Sequence, residues 1–517
     1  MRLGYLFCLL CAVNLVQADE EMQRWKQQQM QMLHQQDAEF TKYKTSIDTE
    51  FQSFLEAQWR EMALFKGNVR DETPKPKTLP TVTTLPPVIS VAPSKTPAAT
   101  PPKISPDQSF SPLTELPDSS ISDMADLPVL EPTTESVPKA APVKREVYDT
   151  RLLITFLGVD LVLYYDRHLA YSYRGLPDSK NIADYWRELS GSEFQPLIEQ
   201  LQLISTQQRL NDWGYLMLIH EVANSLHPGD ESSVAMLSWF LLIKSGIQSR
   251  VGYNQHQVFL FMPSQQQVYE QGYLYIDDDK YYVYFLPQGE RLSDIYTYDG
   301  EYPAELRQFD FVMQSPPTTA PQMHYRQVDF SYAGASHNLS IAVDQNLVGF
   351  YDSYPQLDIE WYFNAPVGEV TRRGLLESLR PVVGDMSKKD ALNLILGLVQ
   401  SAFPYQTDDE QFGTENYLLP EETLFYPYSD CEDRSVLFAW LVKHLLEIEV
   451  IGLSYPGHVA TAVKIAGVEG DGVNYRGDRF VIADPTYVGA RVGMAMPNLR
   501  AIQPGIILMG EVLPSQK

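Results

Sequence analysis

The chain has 517 residues, 44% of them apolar, and a formal net charge of −26. That length accommodates two or three domains with ordinary hydrophobic cores. The acidic balance excludes a nucleic-acid binder and a protein that docks on anionic membrane surfaces, since both select basic faces.

Met1 to Ala18 carries one arginine, an apolar run from Tyr5 to Val16 and the small-residue end Val16-Gln17-Ala18. This reads as a secretory signal, residues 1–18, and predicts a periplasmic or secreted protein. Cys8 and Cys11 fall inside it, so Cys431 is the lone thiol of the mature chain. A lone cysteine cannot staple its own fold and risks intermolecular pairing, so its presence in an exported protein points to a use. No later stretch is long and apolar enough to span a bilayer.

Residues 19–66 lack proline and place Leu33, Phe40, Tyr43, Ile47, Phe51 and Phe54 at steps of seven, three and four. This predicts an amphipathic, coiled-coil-like helix. Its narrow aromatic seam fits self-association or a helical protein partner, and equally a helix resting on its own domain. Residues 67–147 form a Pro/Thr/Ser-rich spacer; Asp71 to Pro142 holds 16 of the 36 prolines. Such a stretch cannot sustain a hydrogen-bond ladder and is expected to be extended, disordered and mobile.

From Tyr148 onward one α+β design occurs twice, over residues 148–300 and 301–517, each copy opening on a small β segment. Leu153 to Ala170 parallels Phe330 to Val348, and Phe194 to Leu226 parallels Leu375 to Phe403. Asp230 to Lys244 matches a later helix that contains Cys431, with Trp239 on Trp440 and Asp230 at the cysteine position. His256 falls near His458. Tyr282 to Pro287 overlays Phe480 to Pro485, which sets Leu286 against Asp484. With neither thiol nor carboxylate, the first copy is expected to be a pseudo-enzyme domain.

The second copy carries the chemistry. Ser429 or Asp430 caps a helix whose apolar face is Val436, Leu437, Trp440, Leu441 and Leu445, with Cys431 in its first turn. There the helix dipole favours thiolate, while Glu432 and Asp433 oppose it. Glu449 to Leu453, His458 to Ile465 and Arg479 to Asp484 read as strands, with Tyr455-Pro456-Gly457 as a turn. If the last two strands pair antiparallel against the cysteine helix, Cys431, His458 and Asp484 form a nucleophile, a base and an orienting acid.

Three motifs carry a resemblance: Asp430-Cys431-Glu432-Asp433, Gly457-His458-Val459-Ala460 and Ala483-Asp484-Pro485-Thr486. Over roughly Ser387 to Leu499 the chain resembles the transglutaminase-like superfamily of papain-type cysteine enzymes. The resemblance implies tandem transglutaminase-like (papain-type) domains, the first degenerate, and covers transglutaminases, cysteine proteases, amidases and inactive members. By the same resemblance Gln400 is expected to donate its amide to the oxyanion, beside the backbone N–H of Cys431. Tyr426 and Tyr428 are candidates for the cleft wall.

His220, His227, His324 and His337 have no metal-ligand spacing, His444 is more than three turns from Cys431, and no Gly-rich phosphate loop occurs, so no cofactor or metal is expected. The acidic clusters Asp277 to Asp279 and Asp408 to Glu410 lack the loop pattern of a calcium site. The expectation is an exported thiol-dependent amide hydrolase or acyltransferase acting on proteins or peptides, cell-wall peptide included. The alternative is a non-catalytic binding or assembly protein that uses both units for recognition.

Overall fold

The computed structural model of the protein describes residues 42, 45–57, 59–65, 75–82, 150–276, 278–284, 295–298 and 306–510. The expected signal segment, residues 19–41 and most of the spacer lie outside them. The described residues form a mixed α+β structure in which two halves repeat one succession of elements.

Each half opens on a hairpin, Thr150–Phe156 with Val159–Tyr165, and Met323–Tyr332 with Ala335–Asp344. Both turn through two residues of positive φ: Leu157 (51°) and Gly158 (76°), Ala333 (49°) and Gly334 (85°). That geometry matches the strand twist and explains the glycine in second place. A side chain at Gly158 would also meet the Ala320 carbonyl oxygen at 2.8 Å. Each hairpin then ends on an aspartate that caps the next helical segment. Asp166 accepts from the N–H of His168, and Asp344 from that of Asn346.

A helical layer follows in each half. Gln195–Gln207 and Asp212–Leu226 in the first correspond to Glu369–Val383 and Lys388–Ala402 in the second. Next come Glu231–Lys244 and Cys431–Leu446, the central helices. The first half reaches its central helix through the four residues 227–230. The second inserts residues 403–430, with the short helices Asp408–Gln411 and Pro420–Phe425.

The sheets share their strand order. The first runs Ile295–Tyr298, Arg250–Tyr253, Val258–Pro263, Asp279–Tyr284, Tyr273–Ile276; the second runs Gly505–Leu508, Val450–Tyr455, His458–Val463, Asp478–Ala483, Gly472–Tyr475. All these neighbours are antiparallel. Gly252 and Gly452 occupy the same place, opposite Thr297 and Ile507. Each has no room for a Cβ, which would lie 2.6 Å from the Phe261 ring or 2.9 Å from the Phe363 ring.

The N-terminal helix differs from expectation. Residues 45–57 are helical, but Trp59–Met62 is a strand that pairs with Ile295–Tyr298 and extends the first sheet. An open sheet edge offers a row of unpaired backbone groups, and that pairing overrides the helical propensity of the stretch. Phe51 and Leu55 are buried in the core of the first half, the Phe51 ring lying 4.6 Å from that of Trp186, edge to face. The described part of the seam therefore faces its own chain rather than a helical partner; Leu33, Phe40 and Tyr43 lie outside the described residues. Among the described residues no helix is long and apolar enough to cross a membrane.

Candidate active site

Cys431 is the first residue of its helix, and Asp430 is the N-cap. Asp433 fixes the start: its Oδ2 accepts from the Asp430 N–H at 3.1 Å, and its Oδ1 from the Leu418 N–H at 3.0 Å. From Cys431 to Val442 every residue is buried, including Glu432, Asp433, Arg434 and Ser435. The first turn is thus a buried polar network, in which every group left without a partner is costly.

His458 opens its strand after the turn at Pro456 and Gly457, whose φ is 67°. The strands Val450–Tyr455 and His458–Val463 pair in register, and Asp478–Ala483 pairs antiparallel to the latter, as the spacing anticipates. Asp484 follows directly. His458 Nε2 lies 2.9 Å from Asp484 Oδ2, and Asp484 Oδ1 accepts from the Thr486 N–H at 2.9 Å. The other imidazole nitrogen, Nδ1, is buried without a hydrogen bond. One helical turn beyond Cys431, Ser435 Oγ donates to the Val459 carbonyl at 3.0 Å, which joins the helix start to the strand start.

The histidine and aspartate are thus paired, whereas the thiol is engaged elsewhere. Cys431 Sγ donates to Glu432 Oε2 at 2.8 Å. Burial pushes the thiol well above its ordinary pKa, the charges of Glu432 and Asp430 add to this, and Lys75 opposes it. The first-turn dipole does not prevail, and the resting group is a protonated thiol. Burial acts to lower His458, but the charge and hydrogen bond of Asp484 outweigh it, with a further contribution from Glu432; the imidazole ends raised. Burial is the largest single influence on Glu432 and raises it, but the Lys75 charge together with hydrogen bonds from Glu415, Cys431 and Lys75 outweighs it and holds the carboxyl at about 2.

Lys75 and the insertion bring residues that sequence reasoning missed. Lys75 Nζ is ion-paired to Glu432, to Asp430 Oδ2 at 2.6 Å and to Glu415 Oε1 at 2.8 Å, with Asp408 Oδ2 at 3.6 Å. No local pattern announces a contact across 355 residues. The cluster Asp408 to Glu410 was visible, but only Asp408 turns inward; Asp409 and Glu410 are exposed. Burial and then the charge of Glu432 push Glu415 up to about 7. Asp408, Glu415 and Glu432 each place a carboxylate oxygen within 4.8 Å of the others, a spacing that suits a cation. Tyr405 Oη is buried without a hydrogen bond, and burial followed by the charge of Cys431 pushes its phenol upward.

Gln400 does not serve as expected. Its Nε2 donates to the carbonyls of Asp484 (3.1 Å), Tyr487 (2.8 Å) and Ala490 (3.2 Å), and its Oε1 accepts from the Gly489 N–H at 3.2 Å. Both amide hydrogens are committed, so Gln400 anchors the loop after Asp484 and has none for an oxyanion. Tyr426 donates to Asp352 Oδ1 at 3.1 Å. The exposed His444 ring lies tilted against Trp440, the centroids 4.8 Å apart and more than three turns from Cys431.

The first half keeps the scaffold and changes the chemistry, in a register that differs from the sequence alignment. Asp230 is an N-cap that accepts from the Ser233 N–H, so it corresponds to Asp430, and Glu231 takes the cysteine position. Tyr253 pairs with Val258 as Tyr455 pairs with His458, which puts Val258 at the histidine position. His256 lies in the hairpin loop, two residues longer than its counterpart, with its N–H on Asn254 Oδ1. The pairing of Leu260 with Tyr284 likewise sets Tyr284, not Leu286, at the place of Asp484. A cleft of about 360 Å³ remains there, lined by His220, Asp230, Glu231, Val258 and Tyr284 among others. No protein-family model, curated protein or solved structure matches this chain.

Proposed function

We propose that the protein is an exported thiol-dependent amide hydrolase or acyltransferase of papain-type, transglutaminase-like design. The observation that carries this is the buried His458–Asp484 pair, whose one unpartnered nitrogen is Nδ1, adjoining the first turn that holds Cys431. With Asp484 accepting from Nε2–H, the neutral ring carries its lone pair on Nδ1. The thiol rotates away from Glu432, gives its proton to Nδ1, and the thiolate attacks an amide carbonyl. The oxyanion is met by the first-turn N–H of Cys431 and by the Tyr405 hydroxyl. His458 then protonates the departing amine, and a thioester remains. Water, deprotonated by the same imidazole, releases the acid and restores the thiol; an amine in its place gives transamidation.

Glu432 is not the base. Held down to about 2, it is too weak to take a proton from a thiol pushed upward, whereas Asp484 raises the imidazole and so makes it the stronger base of the two. The first half supports a narrower form of the binding alternative: no thiol lines its cleft, and it serves as a recognition module for the second.

A peptidyl electrophile that mimics an amide, incubated with the full chain and followed by peptide mass mapping, tests this. The expected adduct is on Cys431, and its rate falls by roughly 10²-fold or more in His458→Ala. An unchanged rate in that variant refutes the mechanism.

A further inference from the structure

Residues 75–82 come from the stretch that composition marks as a spacer, yet they are fastened to the second half at both ends. At one end the Val82 N–H donates to the Val488 carbonyl at 3.1 Å and the Val488 N–H to the Pro80 carbonyl at 3.0 Å. Val82 is buried in the apolar cluster that holds Ile451, Leu453 and Tyr487. At the other end the Lys75 ammonium, its side chain only 12% exposed, sits among four carboxylates.

Three features distinguish that arrangement from a structural ion pair. One ammonium has three hydrogens and one charge, and it faces four acids, of which Asp430 still keeps Oδ1 buried and unpartnered. Two of the acids flank Cys431, and Glu432 holds both the ammonium and the thiol proton. The first half, which lacks the thiol, has Ser232 and Ser233 in place of Glu432 and Asp433, and none of the insertion that supplies Asp408 and Glu415.

We propose that Asp408, Glu415, Asp430 and Glu432 form a recognition subsite for a lysine side chain of a peptide, and that residues 75–82 occupy it as a strap over Cys431. The lysine specificity rests on the thiol chemistry above; the strap does not. Because the strap is tethered, it competes as an intramolecular ligand at an effective concentration on the order of millimolar, and a substrate must displace it.

The test uses the full chain and two variants. Val82→Asp places a charge in the apolar cluster and lifts the far end while leaving the carboxylates intact; Lys75→Met empties the subsite. Alkylation of Cys431 by iodoacetamide reads access, and the thermal midpoint reads binding. Val82→Asp is expected to alkylate at least about tenfold faster than the unsubstituted chain, as removal of a competing occupant requires, and Lys75→Met faster per thiolate, since it also removes the charge that opposes the upward push on the thiol. N-acetyl-lysine amide at millimolar concentration slows that alkylation and raises the midpoint of Lys75→Met, and N-acetyl-norleucine amide does neither. Where Lys75→Met fails to fold, Val82→Asp carries the alkylation arm with its carboxylates still present. Alkylation of folded Val82→Asp within twofold of the unsubstituted chain, or equal protection by lysine and norleucine, overturns the proposal. A midpoint raised by calcium chloride but not by the lysine amide assigns the carboxylates to a metal ion and overturns it too. Neither readout needs turnover, so an inactive chain with a lysine-selective subsite counts against the thiol-enzyme reading alone.

Discussion

Asp484→Asn is the sharpest perturbation of the catalytic pair. The bond it alters joins His458, 7% exposed, to a carboxylate 1% exposed at 2.9 Å. A buried hydrogen bond to a charged group contributes about 1.5–3 kcal/mol, which corresponds to roughly 10- to 150-fold in rate if it is lost only in the transition state. The surroundings push the effect to the upper end. Thr486 N–H donates to Asp484 Oδ1, so it holds the carbonyl oxygen of the new asparagine and turns the NH2 toward Nε2. The imidazole must then accept at Nε2 and carry its proton on Nδ1, where the base was. The assay is the second-order rate of Cys431 modification by the peptidyl electrophile, well below the unfolding temperature; access past the strap cancels in the ratio. We expect a loss of about 100-fold or more. A rate within threefold of the unsubstituted chain refutes the assignment of His458 Nδ1 as base.

Three further substitutions probe the surroundings. Glu432→Gln removes the acceptor of the thiol proton and the nearest negative charge, so Cys431 should react on the order of tenfold faster at pH 7, with its profile moved to lower pH; a move to higher pH contradicts the account. Gln400→Ala strips the bonds that hold the loop after Asp484 and should cost about 2–4 kcal/mol in denaturant unfolding; lost turnover at full stability would restore Gln400 as an oxyanion donor. Glu421 is fully buried, and burial pushes it up to about 7, although its Oε1 accepts from the Gly368 N–H. A raised acid stabilises the fold below its ordinary pKa and loses that contribution as pH rises through about 7. Relative to the unsubstituted chain, Glu421→Gln should therefore gain about 2–3 kcal/mol between pH 5 and pH 8. A pH-independent difference in denaturant midpoint counts against it.

The local grammar of this fold was readable wherever a short-range rule governs it. The hairpin glycines at 158 and 334, the apolar runs of the central helices and the turn at Gly457 each announce an element, and the pairing of the histidine and aspartate strands follows from their spacing. Registers between the halves were harder, because a two-residue difference in one hairpin loop moves His256 out of line and brings Val258 in. The helix caps hold the clue: Asp230 and Asp430 each stand three residues before the group that they cap or that caps them. Gln400 was misread because donor chemistry says nothing about which acceptors surround it. Lys75 was invisible for a different reason. A lysine in a proline-rich spacer looks solvated until folding places it against acids more than 330 residues away.

The most direct measurement is the acyl-enzyme itself. The full chain is mixed with a lysine-containing peptide thioester, quenched in acid within seconds and digested for mass mapping. The account predicts a hydroxylamine-labile acyl group on the peptide bearing Cys431, absent in Cys431→Ala and accumulating slowly in His458→Ala. An acyl group on another residue, or product release with no acyl group ever found on Cys431, would contradict it.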